Sequence, residues 1–136
     1  MRRRLLLIAL VTLLAPAPVG AVVSPTFRLT IAHVFKNCHV WTTSSKHVGA
    51  STKVVLRRGQ RLVIRVDCPM DFDFVQTAGP RLQLGGPRTY AGQSRTIVFR
   101  RAGVYRLQAT NVQTPAERGL ETLGPPNALT LLVVVR

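Results

Sequence analysis

Short runs in which hydrophobic and polar residues alternate recur along most of the chain. In the run RLVIRV, residues 61–66, the hydrophobic positions Leu62, Ile64 and Val66 fall on one face of an extended strand. Further β-rich runs, some only partly alternating, occur at residues 27–34, 53–57, 72–76, 95–100, 104–109 and 129–135. Glycines and prolines separate the runs at the short intervals typical of a sandwich or barrel. The pattern therefore predicts an all-β domain.

Two stretches depart from this pattern. Residues 76–92 are rich in glycine and proline, which predicts a loop with one short strand at residues 82–84. Residues 114–120 have a proline near a candidate start and a glycine near a candidate end, which predicts at most one short turn of helix. No amphipathic helix of ordinary length is predicted.

The N-terminal segment has a different character from the rest of the chain. Arg2, Arg3 and Arg4 precede the apolar residues 5–15, and Pro16 ends the run before it is long enough to span a bilayer. A basic region followed by a short apolar run is typical of a secretory signal. We therefore predict a signal peptide over residues 1–21, a single domain over residues 22–136, and a secreted or periplasmic protein. A retained N-terminal anchor is the alternative, and no other stretch is long enough to be a transmembrane segment.

The charge of the chain is strongly positive. Its 136 residues include 19 Lys and Arg against 5 Asp and Glu, a formal charge of +14. Removing residues 1–21 takes away three arginines and leaves 16 bases against 5 acids, or +11. The bases stand in predicted strands and turns, and the basic surface is assigned to Arg57, Arg58, Arg61, Arg65, Arg100 and Arg101. Such a surface attracts polyanions. Outside the cytoplasm the expected partner is an anionic cell-envelope component or an acidic protein, and not nucleic acid.

The two cysteines, Cys38 and Cys68, are expected to form a disulfide, because exported proteins meet an oxidising compartment. Such a bridge would contribute on the order of 3–4 kcal/mol, with Trp41 packed against it in the core. The alternative is a reduced Cu(I) site. The soft ligands Cys38, His39, Cys68 and Met70 would then make the protein a copper carrier.

Three of the five acids, Asp67, Asp71 and Asp73, cluster within seven residues. We expect them to cap turns or to pair with arginines. A calcium site and a carboxylate pair for glycoside hydrolysis are weaker alternatives. No nucleophile elbow, metalloprotease motif or phosphate-binding glycine loop occurs, so no enzymatic activity is expected.

Two segments carry a family resemblance. Residues 59–67 (GQRLVIRVD) have a glycine turn and then a strand that ends at a polar corner. In residues 91–105 a strand leads through a glycine turn into the Gly-x-Tyr sequence of Gly103 to Tyr105. Both segments resemble hallmarks of the cupredoxin family, whose last strand would lie at residues 128–135. The resemblance implies a Greek-key β-sandwich of about seven or eight strands.

The resemblance also implies where copper ligands would stand. Blue-copper sites use one thiolate, two imidazoles and usually an axial methionine. The cysteine would fall at Ala109, the second histidine at Val112, and the first histidine within residues 71–73, which read Asp-Phe-Asp. The ligands are missing at these positions. The resemblance therefore implies the scaffold without its copper, and no other cofactor is expected.

In cupredoxins the metal lies at one end of the sandwich, and polar residues of this chain map to that end. They either line a ligand site or hydrogen-bond the loop to itself; they are Asp71, Asp73, Asn111, Gln113, Glu117 and Asn127. The sequence thus predicts a secreted, copper-free, cupredoxin-like binding or structural module with a basic surface. The copper carrier is the alternative function.

Overall fold

A computed structural model describes residues 25–34, 37–44, 46–112 and 128–136 of the chain. Within these residues the secondary structure is all β. The strands are β1 (Thr26–Val34), β2 (Asn37–Thr43), β3 (Lys46–Gly49), β4 (Ser51–Leu56), β5 (Arg61–Asp67), β6 (Asp71–Ala78), β7 (Arg88–Thr89), β8 (Ser94–Val98), β9 (Gly103–Val112) and β10 (Ala128–Val135). The predicted all-β class is confirmed.

The strands form two five-stranded sheets. Sheet A has the order β3-β2-β1-β5-β8, and sheet B has the order β4-β10-β9-β6-β7. Each sheet contains one parallel pair, β1 with β5 and β4 with β10, and all other pairs are antiparallel. The described residues thus contain ten strands instead of about seven or eight. The additional strands include β2, β3 and the two-residue β7, whereas the predicted strand at residues 82–84 is irregular.

One hydrophobic core joins the two sheets. The inward faces of β5 and β10, for example, contribute Ile64 and Leu131, and neither side chain is exposed. Trp41 of β2 is also fully buried, and its indole Nε1 donates a 3.0 Å hydrogen bond to the carbonyl of Thr130 in β10. Trp41 therefore belongs to the core, as expected, and it links sheet A directly to sheet B.

The predicted disulfide is not found, because Cys68 is a free cysteine. Cys38 belongs to β2, Cys68 follows directly after β5, and β1 lies between these two strands. Two strand spacings separate their backbones by about 9.5 Å, whereas a disulfide requires Cα atoms within roughly 7 Å. The expectation of a bridge followed from the predicted compartment alone, which says nothing about an intervening strand.

Some predicted features lie outside the described residues. They include the signal peptide at residues 1–21 and the turn of helix at residues 114–120, and both stay predictions. Among the described residues, no helix is long and apolar enough to cross a membrane.

Candidate functional site

Three of the predicted ligand-end residues are described, namely Asp71, Asp73 and Asn111; they lie where β6 begins and β9 ends, and they make contacts within the chain. The Asp71 carboxylate accepts a 2.9 Å hydrogen bond from the backbone N–H of Ala91. Asp73 accepts two hydrogen bonds from the Arg88 guanidinium, at 2.9 and 3.1 Å. These hydrogen bonds are the main reason why the pKa of Asp73 lies below its usual value. The two aspartates therefore serve to hold the turns around β7 in place.

Asn111 uses its amide within the same end of the sandwich. Its Nδ2 donates to the thioether sulfur of Met70 at 3.0 Å, and Met70 packs against the core. The remaining predicted ligand-end residues, Gln113, Glu117 and Asn127, lie outside the described residues. The described members thus make hydrogen bonds within the chain, and a ligand site at this end stays a prediction.

The positions implied for copper ligands do not fit a blue-copper centre. Ala109 stands in β9 with its methyl group buried in the core, where the thiolate would be needed. Phe72 is fully buried, and its ring packs edge-on against His39 with centroids 5.0 Å apart. Ala109 and Phe72, at two of the implied ligand positions, therefore supply neither the thiolate nor an imidazole that such a centre requires.

Three of the four alternative Cu(I) ligands, His39, Cys68 and Met70, make other contacts. His39 is buried between the rings of Phe72 and His33, with the His33 centroid at 5.5 Å. The Cys68 thiol donates to the carbonyl of Met70 at 3.8 Å, and burial raises the pKa of this thiol. The side chain of Cys38 lies outside the described part of the structure. Among the side chains described, no three His, Cys, Asp or Glu residues are grouped as a metal site.

Three arginines, by contrast, lie together on the outer face of sheet A. Alternation in β5 turns Leu62, Ile64 and Val66 inward, and Arg61 and Arg65 outward. The parallel register between β1 and β5 places Arg28 beside Val63, between the two arginines of β5. From strand spacing and rise, Arg28 lies about 8 Å from each of them at Cα level. We call these three residues the arginine triad: Arg28, Arg61 and Arg65.

The arginine triad has little internal neutralisation. Of the three acids in the described residues, only Asp67 approaches it, at 3.8 Å from Arg65. Both side chains of this pair are more than half exposed, at 54% and 65%. A loose ion pair of this kind contributes little in water. The other two acids, Asp71 and Asp73, belong to β6 of sheet B, and their carboxylates are hydrogen-bonded to Ala91 and Arg88.

A groove continues this basic surface beyond the edge strand β8. Thr96 of β8 is paired with Val63, so the outer face of β8 borders the arginine triad. The groove has a volume of about 880 Å³, and its lining includes Arg81, Arg100 and Arg101. We call Arg81, Arg100 and Arg101 the groove arginines. Among the described residues, none that lines the groove is acidic. Arg57 and Arg58, which were assigned to the basic surface, are exposed in the turn before β5.

Arg95 holds the wall of this groove in place. Its side chain is only 7% exposed and points inward from β8. The guanidinium donates to Thr89 Oγ1 at 2.7 Å, to the carbonyls of Leu84 and Gly86 at 2.6 Å each, and to the carbonyl of Arg88 at 2.8 Å. Burial lowers the pKa of Arg95. The irregular segment 81–87 is therefore fastened to β8 by one buried side chain.

Sequence reasoning did not assign Arg28, Arg81 or the inward position of Arg95. Arg28 could have been found, because it alternates with Leu29 and Ile31 within a single predicted strand. Arg95 shares the parity of Ile97 and Phe99, which also marks it as inward-facing. Arg81 gave no such signal, because it stands in an irregular segment.

The comparisons with known proteins concern the fold alone. No protein-family model matches the chain, and no curated protein matches it in sequence. The chain is similar to solved structures of amicyanin, a cupredoxin, the family that residues 59–67 and 91–105 resemble. One is a reduced-state mutant, with a TM-score of 0.46 and 14% identity, covering 82% of each chain. Another is a reduced Cu(I) form at pH 4, with a TM-score of 0.45 and 16% identity, covering 85% of this chain and 87% of amicyanin. At these levels the likeness identifies no site and no activity.

Proposed function

We propose that the chain is an exported, cupredoxin-like β-sandwich that acts as a non-catalytic binding module, and that its basic surface binds an anionic component of the cell envelope. The observation that carries this proposal is the arginine triad on the outer face of sheet A. Three exposed arginines on two adjacent strands surround Val63 there. The sheet fixes the relative positions of their backbones, which suits contact with a repeated anionic surface.

The energetics of the arginine triad favour a binding role over a purely structural one. The Cα atom of Arg28 lies about 8 Å from those of Arg61 and Arg65, and two like charges at that distance repel each other by roughly 0.5 kcal/mol in water. The net positive charge of the chain adds to this repulsion. A structural module gains nothing from such an arrangement. An anionic partner relieves the repulsion, and guanidinium groups bind phosphate or carboxylate oxygens in pairs.

The test is binding to anionic vesicles of phosphatidylglycerol and to immobilised heparin, each at about 50 mM and about 500 mM NaCl. The longer Debye length at low salt preserves the attraction, so we expect binding at low salt and its loss at high salt. Absence of binding to both probes at low salt, or binding that salt does not weaken, would overturn the proposal.

A matched pair of variants separates the arginine triad from net charge. One variant carries Gln at Arg28, Arg61 and Arg65. The control carries three Gln replacements on or beside the strands of sheet B, at Lys53, Arg106 and Arg136, all of which are exposed. Both variants lose the same charge. We expect the triad variant to bind more weakly than the control on at least one probe.

A further inference from the structure

The groove beside β8 differs from the surface that carries the arginine triad, because the groove is concave and its walls are held by specific hydrogen bonds. Arg81 lies on the wall formed by the irregular segment, and Arg100 and Arg101 lie beyond the end of β8. Thr96 and Gln83 also line the groove, and both are exposed. The groove therefore combines three positive charges with neutral hydrogen-bonding groups.

We propose that this groove is a binding site for a linear anionic polysaccharide that carries sulfate or phosphate esters. The inference rests on the proposed function, because it assigns a particular ligand and a particular site to the basic surface. The groove arginines pair with the ester oxygens, since guanidinium forks match such groups with two parallel hydrogen bonds. The side chains of Thr96 and Gln83 donate hydrogen bonds to the sugar hydroxyls and accept hydrogen bonds from them.

The walls of the groove are preorganised. Arg95 fastens the segment at Leu84 and Gly86, as described above. On the other side of the same segment, the Gln76 amide donates to the carbonyl of Pro80 at 2.7 Å, and its oxygen accepts from the Leu82 N–H at 2.9 Å. Because these bonds already order the backbone around Arg81, a ligand does not have to order it on binding.

The far end of the groove is fixed as well. The phenol of the buried Tyr105 donates a 2.6 Å hydrogen bond to the carbonyl of Arg101, which sets the path of the turn between β8 and β9. Arg101 therefore projects from a constrained backbone. A site with both ends held in this way favours one ligand geometry over diffuse ionic contact.

The shape of the surface favours a chain-like ligand. The groove opens onto the outer face of β8, which borders β5, and β5 borders β1. From β1 to β8 the surface extends about 10 Å across two strand spacings. A linear polymer that leaves the groove over Thr96 passes directly onto the arginine triad, where further ester groups find positive charge.

The experiment measures binding of a heparin oligosaccharide, a sulfated linear glycan, by titration calorimetry at about 150 mM NaCl. The groove variant carries Gln at the groove arginines, and the control is the sheet B variant with Gln at Lys53, Arg106 and Arg136. We expect the groove variant to lose at least about tenfold in affinity, and the control to lose about threefold or less. Removal of three ionic contacts also lowers the slope of log affinity against log salt by about two to three in the groove variant. Thermal unfolding of both variants checks that each is folded.

The possible results distinguish failure of the groove site from failure of the proposed function. Equal losses in the two variants would overturn the groove site while leaving the proposed function standing, because net charge alone would then explain binding. Failure of the unchanged protein to bind any anionic probe would overturn both proposals. Poly-L-glutamate and neutral dextran test the ligand class. Binding of poly-L-glutamate that is tighter than heparin binding at equal salt would show that the groove takes an acidic peptide, and would overturn the assignment to a polysaccharide. Dextran is expected not to bind.

Discussion

Replacing Arg95 with methionine tests how far one buried side chain supports both the core edge and the wall of the groove. Methionine is unbranched and uncharged, so the change removes the guanidinium while a flexible side chain still fills the space of the arginine stem. Four hydrogen bonds are lost, and three of them go to backbone carbonyls, two in the irregular segment and one in β7. The contact between the guanidinium carbon and the Phe74 ring, at 4.9 Å from the centroid, is lost as well.

The magnitude follows from two opposing effects. Each hydrogen bond contributes about 1 kcal/mol net, and more when the donor is charged, so four bonds suggest a loss of about 4 kcal/mol or more. Against this, burying the charge of Arg95 costs desolvation free energy, and the same burial lowers its pKa. The uncharged methionine does not carry this cost. Several of the acceptors are only partly buried and can regain water when the segment loosens. We therefore expect a net loss of roughly 2–4 kcal/mol in the free energy of unfolding. In a domain of this size that lowers the midpoint of thermal unfolding by about 10–20 °C.

Urea unfolding followed by tryptophan fluorescence is the assay. Trp41 is the single tryptophan of the chain and is fully buried, so its emission reports loss of the core directly. The control is Arg106→Met on the exposed face of β9, which should change stability by no more than about 0.5 kcal/mol. Arg95→Lys retains the charge but not the planar fork, and we expect an intermediate loss.

This reasoning is refuted if the free energy of unfolding of Arg95→Met lies within about 0.5 kcal/mol of that of the unchanged protein and the slope of that free energy against urea concentration is the same. A second readout keeps the test informative if the variant unfolds. In Arg95→Lys, hydrogen exchange at the Phe74 amide, which donates to the carbonyl of Pro87 at 2.7 Å, should accelerate more than exchange in β10.

Three further predictions concern single residues. Gly79→Ala should destabilise the domain by about 3 kcal/mol or more, because the backbone φ is +102° and a Cβ would collide with the Val104 carbonyl. Gly59→Ala, where φ is +80° and the space is open, should cost only about 1 kcal/mol. Equal shifts in the thermal unfolding midpoint of the two variants would contradict this. The thiol of Cys68 should react with Ellman's reagent more slowly at about pH 8 in the folded protein than in urea, because burial raises its pKa; equal rates would count against it. The side-chain hydrogen bond from Arg88 lowers the pKa of Asp73. The ionised Asp73 therefore contributes to folding stability above about pH 4, and this contribution is lost as pH falls through the lowered pKa of the folded state. Asp73→Asn should reduce the acid sensitivity of unfolding, and an unchanged pH profile would rule this out.

Alternation along the sequence was a sufficient guide for strands in which every second residue is a buried hydrophobic one. Leu62, Ile64 and Val66 are buried as the pattern of β5 predicts, and the last predicted strand is β10. β2 and β3 were missed because the run NCHVWTT mixes polar and aromatic residues, and β3 has only four residues. Strands of this kind are defined by their neighbours in the sheet, which a local pattern does not contain.

The groove was beyond the reach of sequence reasoning for a related reason. Its wall follows an irregular segment whose path is set by Gln76 and Arg95, and the partners of these side chains are backbone carbonyls. A carbonyl is present at every position, so the sequence does not mark which ones a side chain will select. The prediction of a Cys38–Cys68 disulfide failed similarly, because the position of β1 between the two strands is a property of the whole topology.

The place of β10 within sheet B has a consequence for the biosynthesis of the domain. β10 pairs with β4 on one side and with β9 on the other, and among the described strands it is the one that joins β4 to the rest of that sheet. Until residues 128–135 have been synthesised, β4 and β9 lack this partner, and unpaired strand edges are prone to aggregation. Sheet B therefore closes only when β10 is inserted.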